Sequence, residues 1–331
     1  MQECTLDFSV IVVSWNTCDL LAACLSAIGA DFPRDRGEII VTDNASSDGS
    51  PAMVRERFPF VRLIELDRNT GFAHGNNIAL AGSRGRLLFL INSDIIVHPG
   101  TYDRLRRFMA VHPDAGIAGP AIVGRNGIRQ RSCMGYPTLW NVFCCACAID
   151  SMLPRVKAVG GYMMRWFGHD RTMPVDVVNG CFWVVRRSAF TATGLLDERF
   201  FMYGEDIDWC RRFTEAGWRV YYVHDIEAVH FGGVSSARSP VYFYLEMYRA
   251  NLLYWRKYHR LFSLACYYCL ILLHQAFRAL ARGTQCLLPG GNRIETRLKF
   301  RRSLVCLLSL AGVTKFRDVN PVEKSPSADI H

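Results

Sequence analysis

The chain has 331 residues, half of them hydrophobic and 21% charged, with 13 cysteines and a formal net charge of +9. That length buries one large core or two modest ones, and that apolar content excludes a disordered chain. Cys144, Cys145 and Cys147 crowd together, but no second pair stands at a zinc-like spacing, so the cysteines read as buried small hydrophobes in a reducing compartment.

The location of the charge says more than its size. Residues 1–255 carry 26 Lys+Arg against 26 Asp+Glu, whereas residues 256–317 carry 12 basic residues against the single acid Glu295. That segment is also rich in Leu, Cys and aromatic residues, and a basic, apolar segment suits an anionic membrane surface. Nucleic acid is the rival partner, but no recognition motif accompanies the charge. Residues 318–331 form a polar tail. Residues 1–7 hold neither a basic region nor a signal-peptide core, from which a cytoplasmic location is expected.

In chain order, residues 8–14 form a short β-branched run that suits a buried parallel strand. A helix is expected over Asp19–Ile28, with Leu20, Leu21, Cys24, Leu25 and Ile28 on one face. A strand over 38–42 ends in the polar, glycine-containing loop 43–50. A helix from Pro51 to Phe58, a strand over 61–66 and a loop entering a helix over 71–82 follow. The strand over 87–91 then runs into Asn92, Ser93 and Asp94. Residues 125–175 show no clear period. Residues 175–185 read as a strand interrupted by Asn179 and Gly180. A helix over Asp206–Ala216, closed by Gly217, precedes strands over 218–223 and 228–231.

Strand alternating with helix predicts an α/β fold with a mostly parallel, doubly wound sheet, whose ligands bind outside the carboxyl ends of the strands. Polar residues fall at four such ends: Ser14 and Asn16, Asp43 and Asn44, Asn69, and Asp94. Each alone is more often a turn former; four converging ends indicate one crevice. A second acid site lies at Glu205, Asp206 and Asp208, flanked by aromatic residues. Acids in a first helical turn also complement the macrodipole. One acid site suited to a metal and one suited to a general base together suggest group transfer.

The stretches SVIVVSWN, VTDNASSDGS, NTGFAHGNN, LFLINSD, NGCFWVVRRSAF, LLDERFFMYGEDIDWCRRFTEAGWRV and VHFGGVSS, spread over residues 8–236, resemble glycosyltransferase family 2. The resemblance is narrowest to its bacterial rhamnosyltransferase-like branch. It implies a GT-A nucleotide-binding domain over about 1–240, with the donor side at 1–124 and the acceptor side at 125–240. It also implies inverting transfer from a nucleotide sugar. Mg²⁺ or Mn²⁺ would neutralise the diphosphate, held by Asp94, with His230 and Asn92 as further candidates. The family's usual motif has an acid where Asn92 stands, which implies weaker metal binding. His230 also reads as a satisfied histidine at a strand end.

By the same resemblance Asp206 is the general base and Glu205 an acceptor ligand beside it. Ser14, Asn16, Asp43, Asn69, Gly71 and Ser93 bind the donor, with Gly75 shaping the same loop. Asp208 binds acceptor or orients Arg211 or Arg212. Trp183 and Tyr203 form a sugar-stacking wall, or else pack in the core.

Beyond residue 240, amphipathic helices are expected over 241–317. The apolar run 261–273 is thirteen residues, short of the ~20 needed to span a bilayer. His274, Arg278 and Arg282 stripe one face and Leu270, Leu273 and Phe277 another, which reads as an interfacial helix, a core cap or a dimer interface. A second helix is expected near 298–310.

The resulting expectation is a membrane-associated inverting glycosyltransferase moving L-rhamnose from dTDP-L-rhamnose onto a lipid-linked or cell-envelope glycan. The rivals are a UDP-hexose donor, a nucleotidyltransferase, and a non-catalytic nucleotide-sugar-binding protein.

Overall fold

The computed structural model describes residues 6–232, 239–287 and 293–313. The tail at 318–331 and the GVSS end of the last motif lie outside the described residues. The strands are β1 (Leu6–Ser14), β2 (Gly37–Asp43), β3 (Arg62–Glu65), β4 (Gly85–Asn92), β5 (Ile95–Val97), β6 (Ala115–Val123), β7 (Cys133–Met134), β8 (Met173–Val175), β9 (Val177–Val178), β10 (Phe182–Arg186) and β11 (Arg219–His230). The helices are α1 (Cys18–Gly29), α2 (Ser50–Arg57), α3 (Gly71–Ala81), α4 (Thr101–Val111), α5 (Leu139–Ala146), α6 (Ile149–Met152), α7 (Arg187–Thr193), α8 (Glu205–Glu215), α9 (Pro240–Tyr258), α10 (Leu261–Leu287) and α11 (Arg293–Leu310).

The main sheet runs β3-β2-β1-β4-β10-β6-β11-β5, with β8 added on β11. β1, β2, β3, β4, β6 and β11 point one way, and β10, β5 and β8 the other, so the sheet is mostly parallel as expected. Both faces are covered, which is why the strands read as unbroken apolar runs. Val10 and Val12 of β1 join α1, α2 and α4 on one side. Ile11, Leu88 and Leu90 join α3, α7 and α8 on the other.

Three parts of the chain differ from the sequence expectation. The interrupted strand over 175–185 is three strands, β8, β9 and β10, in different pairings. The two strands expected over 218–231 are one strand, β11, with a register shift between Val223 and Glu227. The thirteen-residue run at 261–273 continues through His274 and Arg278 into a 27-residue helix. At ~1.5 Å per residue that length no longer excludes a membrane span.

The C-terminal helices are tied to the sheet through Asp208, which is fully buried. Its Oδ1 accepts from Lys257 Nζ at 2.6 Å and Tyr258 OH at 2.8 Å, and its Oδ2 accepts from Arg212 Nε at 2.9 Å. Lys257 also bonds Asp197 Oδ2 at 2.7 Å. Both oxygens are spent inside the protein, so the acceptor-binding role expected of Asp208 is overturned, while its pairing with Arg212 is found. Replacing Lys257 by Met leaves a buried carboxylate short of a cation, a loss of ~3 kcal/mol. Urea unfolding of Lys257→Met, Asp208→Asn and the double variant should show strong non-additivity; additive losses would dissolve the pair.

Candidate active site

Parallel pairing brings the polar strand ends into one row, with Ser14 opposite Asp43 and Val13 opposite Asn92. A cavity of about 250 Å³ opens above them. Ser14, Asn69, Gly71, Asn92, Ser93, Asp94, Tyr203 and His230, all expected from the sequence, line it. Its floor is laced by hydroxyls: Ser14 Oγ lies 3.1 Å from Thr17 Oγ1, which lies 2.9 Å from Ser93 Oγ.

Two expected donor residues sit beside the cavity. Asn16 Oδ1 accepts from Ser47 N at 2.8 Å, bracing the loop after β2. Asp43 is 1% exposed. Its Oδ2 accepts from Ser46 N at 2.7 Å, and its Oδ1 has no partner among the described residues. Burial pushes its carboxyl above the usual range, partly opposed by Ser46.

The β5–β11 pairing sets His230 opposite Ile95, and so beside Asp94. His230 Nε2 lies 3.3 Å from Asp94 Oδ1, while Asp94 Oδ2 accepts from Gly232 N at 3.1 Å. Gln130, which the sequence reading missed, orients the ring. Its Nε2 donates to the His230 carbonyl at 3.2 Å, which turns its Oε1 to His230 Nδ1, also at 3.2 Å. With Nδ1 donating to that oxygen, Nε2 presents its lone pair toward the Asp94 carboxylate, an arrangement that a cation between them would stabilise. The pair suits a divalent cation that takes its other ligands from a diphosphate. No cluster of three or more His, Cys, Asp or Glu able to hold a metal exists among the described residues. Asn92 lines the cavity with Asp94, and its backbone N donates to Cys181 O at 2.9 Å.

The second acid site begins α8. Gly204, with φ 79°, caps the helix, and Tyr203 before it has φ 68°. Two consecutive left-handed residues, one of them bulky, hold the turn in a strained form of the kind found at functional sites. Glu205 is buried, and its Oε2 has no partner among the described residues. Burial first, and the adjacent Asp206 second, push its carboxyl well above the ordinary range. Asp206 is half-buried. Burial pushes it up to about 6, while the backbone at Ile207 and Gly180 pulls it down. Burial, then the Asp206 charge, hold the Tyr162 phenol above its ordinary value. Asp206 thus faces the Gly180 backbone of the β9–β10 turn, outside the set of residues lining the cavity.

The two motif stretches NTGFAHGNN and LLDERFFMYGED clasp each other. Phe72 N donates to Phe201 O at 2.8 Å, Asn77 Nδ2 donates to Leu196 O at 2.9 Å, and His74 Nδ1 meets Glu198 at 2.8 Å. Trp183 does not form a sugar-stacking wall. It is fully buried, its Nε1 donates to Val178 O at 2.9 Å, and its ring tilts on Trp209. Tyr203 does line the cavity, with Trp15 and Asn44 of the strand ends and with Phe72, Phe201 and Phe243, which the sequence reading had not assigned to it. Phe72 and Phe201, inside recognised motifs, were within reach of that reading; Phe243 carried no signal.

The description "Glycosyl transferase family 2" belongs to the family model that matches residues 9–142. An N-acetylglucosaminyl-diphospho-decaprenol L-rhamnosyltransferase of Mycobacterium tuberculosis is 32% identical over 213 residues, covering 61% of this chain and 69% of that protein. Rhamnosyltransferase WbbL of Escherichia coli is 44% identical over 57 residues, 17% of this chain and 22% of its own. Among solved structures, a mannosyltransferase from Pyrobaculum calidifontis in complex with GDP-Man and Mn²⁺ matches with a TM-score of 0.53 at 19% identity, over 97% of this chain and 87% of that one. A likeness at that identity is one of fold, and the fold is the expected GT-A type.

A Cβ on Gly71 would stand 2.3 Å from Phe201 O, at a φ of +87° that side chains avoid. Gly71→Ala should therefore loosen the clasp, with a loss of ~2 kcal/mol in thermal unfolding and weaker nucleotide binding. An unchanged melting temperature would mean the clasp yields freely.

Proposed function

The chain belongs to glycosyltransferase family 2, and from that premise we propose that it transfers L-rhamnose, with inversion, from dTDP-L-rhamnose to a lipid-linked or cell-envelope glycan. The family assignment makes it an enzyme with a nucleotide-sugar donor. The rhamnosyl reading is supported by the relatives whose printed names carry that activity. A glycan on a membrane-bound lipid carrier is the acceptor class that suits a chain with a basic, apolar C-terminal segment at the cytoplasmic face.

The observation that carries the mechanism is Asp206, a half-buried carboxylate at the start of α8, poised up to about 6. Inversion in one displacement needs a base that takes the acceptor hydroxyl proton as oxygen attacks the anomeric carbon. Asp206 Oδ is that base. Glu205, held neutral by burial, hydrogen-bonds an acceptor hydroxyl with its unpartnered oxygen. Tyr203 and Phe243 wall the sugar from water. Asp43 accepts from the nucleobase through its unpaired Oδ1, and Ser14, Asn69, Gly71 and Ser93 line the phosphate and ribose path. Asp94 and His230, with Asn92 beside them, would hold Mg²⁺ or Mn²⁺, which would supply positive charge to the departing diphosphate.

Release of dTDP from dTDP-L-rhamnose, compared with a panel of UDP- and GDP-sugars and with chelator, tests the donor. Metal-dependent release from dTDP-L-rhamnose alone is expected; release from a UDP-sugar instead would discard the rhamnosyl assignment.

Asp206→Asn should lower kcat by ~10²–10⁴ while nucleotide affinity persists. Its melting temperature should hold or rise, because a buried charge is removed; surviving turnover would refute the base assignment. A base acts only when ionised, and this one is raised above the usual carboxylate value. Activity should therefore fall as pH drops through about 6. An acid limb near 4 would belong to an exposed carboxylate instead.

A further inference from the structure

The two sides of α10 differ. Tyr267, Ile271, Gln275 and Ala279, four residues apart, are buried. Tyr267 stacks on Trp255 of α9 at 4.5 Å, and Gln275 Nε2 donates to Tyr248 OH at 2.6 Å. About 160° around the helix, by the 100° turn per residue, Phe262, Leu273, Phe277 and Leu280 are 79%, 71%, 70% and 70% exposed. Ala265 and Cys269 lie between them, also exposed. An uninterrupted apolar stripe of that length facing water is not a feature of ordinary protein surfaces.

A second apolar group lies on the neighbouring element. α5 packs against α10, and in the α5–α6 region Phe143, Met152, Leu153 and Val156 are exposed. The adjoining charge is basic. On α11, which packs along α10, Arg293, Arg297 and Arg301 recur every fourth residue and are exposed.

By length and composition the helix passes for a membrane span: an 18-residue stretch within Leu261–Cys286 has a mean hydropathy of 1.4 and is 22% buried. Its packing argues otherwise. The buried row from Tyr267 to Ala279 is fastened to α9, and α5 and α11 flank the helix. Crossing a bilayer would strip those contacts or drag the water-facing domain with them. Gln275, at the middle of the helix, is bonded to two tyrosines.

We propose that the exposed stripe of α10, with the apolar side chains of the α5–α6 region, lies in the plane of an anionic phospholipid bilayer, its arginines on lipid phosphates, and that α10 does not cross. This deepens the membrane reading given above and stands apart from the donor and base assignments. The stripe enters the headgroup–acyl boundary while the domain stays in water. Charge complementarity selects an anionic surface.

The test is flotation of the full-length protein with phosphatidylcholine vesicles, with and without phosphatidylglycerol. Binding is expected only with phosphatidylglycerol, and weakened by salt. Leu273→Glu/Phe277→Glu should lower the bound fraction at least about tenfold, as two buried apolar side chains warrant, with donor hydrolysis unchanged. Arg297→Glu/Arg301→Glu should weaken binding to the anionic vesicles. Val111→Glu, equally exposed but on α4, should alter nothing. In cells, alkaline carbonate should release the protein from membranes. Resistance to carbonate would show a span. Absent or undiminished vesicle binding would overturn the surface, and so would a dimer that Leu273→Glu/Phe277→Glu dissolves. A failed glycosyltransferase reading would show in donor hydrolysis and leave flotation untouched.

Discussion

The burial of Asp208 is the constraint on which the carboxylate end of the sheet depends. A carboxylate withdrawn from water is tolerated only with a full set of partners. Here three partners come from two helices: Arg212 one turn along α8, and Lys257 and Tyr258 at the end of α9. Lys257 carries the link on to Asp197, in the segment that clasps α3. α8 is thereby held from the side away from the sheet, and its first turn, with Glu205 and Asp206, inherits that rigidity. The same docking lays Ala250 against Gly204 and brings Phe243 into the cavity wall. The C-terminal helices are thus part of what positions the acids.

A second constraint is the antiparallel entry of β10 and β5 into a parallel sheet. The parallel strands β1, β2 and β4 alone would end in Ser14, Asp43 and Asn92, with nothing opposite. β10 starts where β4 ends and sets the Gly180 turn beside Asp206; β11, pairing with β5, delivers His230 to Asp94. Residues 138 positions apart, Asp94 and Gly232, meet through that pairing. One wall of the crevice thus comes from the parallel strand ends, and the reversed strands bring His230 and the first turn of α8 up to it.

The strand-end row was legible because it needs only local information. An apolar run, a polar stop and a glycine loop identify Ser14, Asp43 and Asn92 without any tertiary fact. β5, α4 and β6 over 95–123 escaped notice: β5 is three residues long, and β6 has a proline and two glycines in its nine. Trp183 and Asp208 show the other limit. Each stands in a motif rich in functional residues, and each is fully buried, a fact decided by what packs on it. The extent of α10 through Arg282 was legible from its striped faces, but its apolar length was not: His274 and Arg278 interrupt a hydropathy run but not a helix, since one neighbouring face is packed on protein.

The three carboxylates at the start of α8 show how little residue type alone determines. They share one helical turn and one favourable macrodipole. Asp208 meets a lysine, an arginine and a phenol, and serves as an anchor. Glu205 meets burial, an unpartnered oxygen and the charge of its neighbour, which together push its carboxyl well above the ordinary range. Asp206 is left half-exposed, with backbone N–H groups opposing the effect of burial. Its intermediate setting follows from its neighbours: burial raises it, and the backbone at Ile207 and Gly180 holds it back.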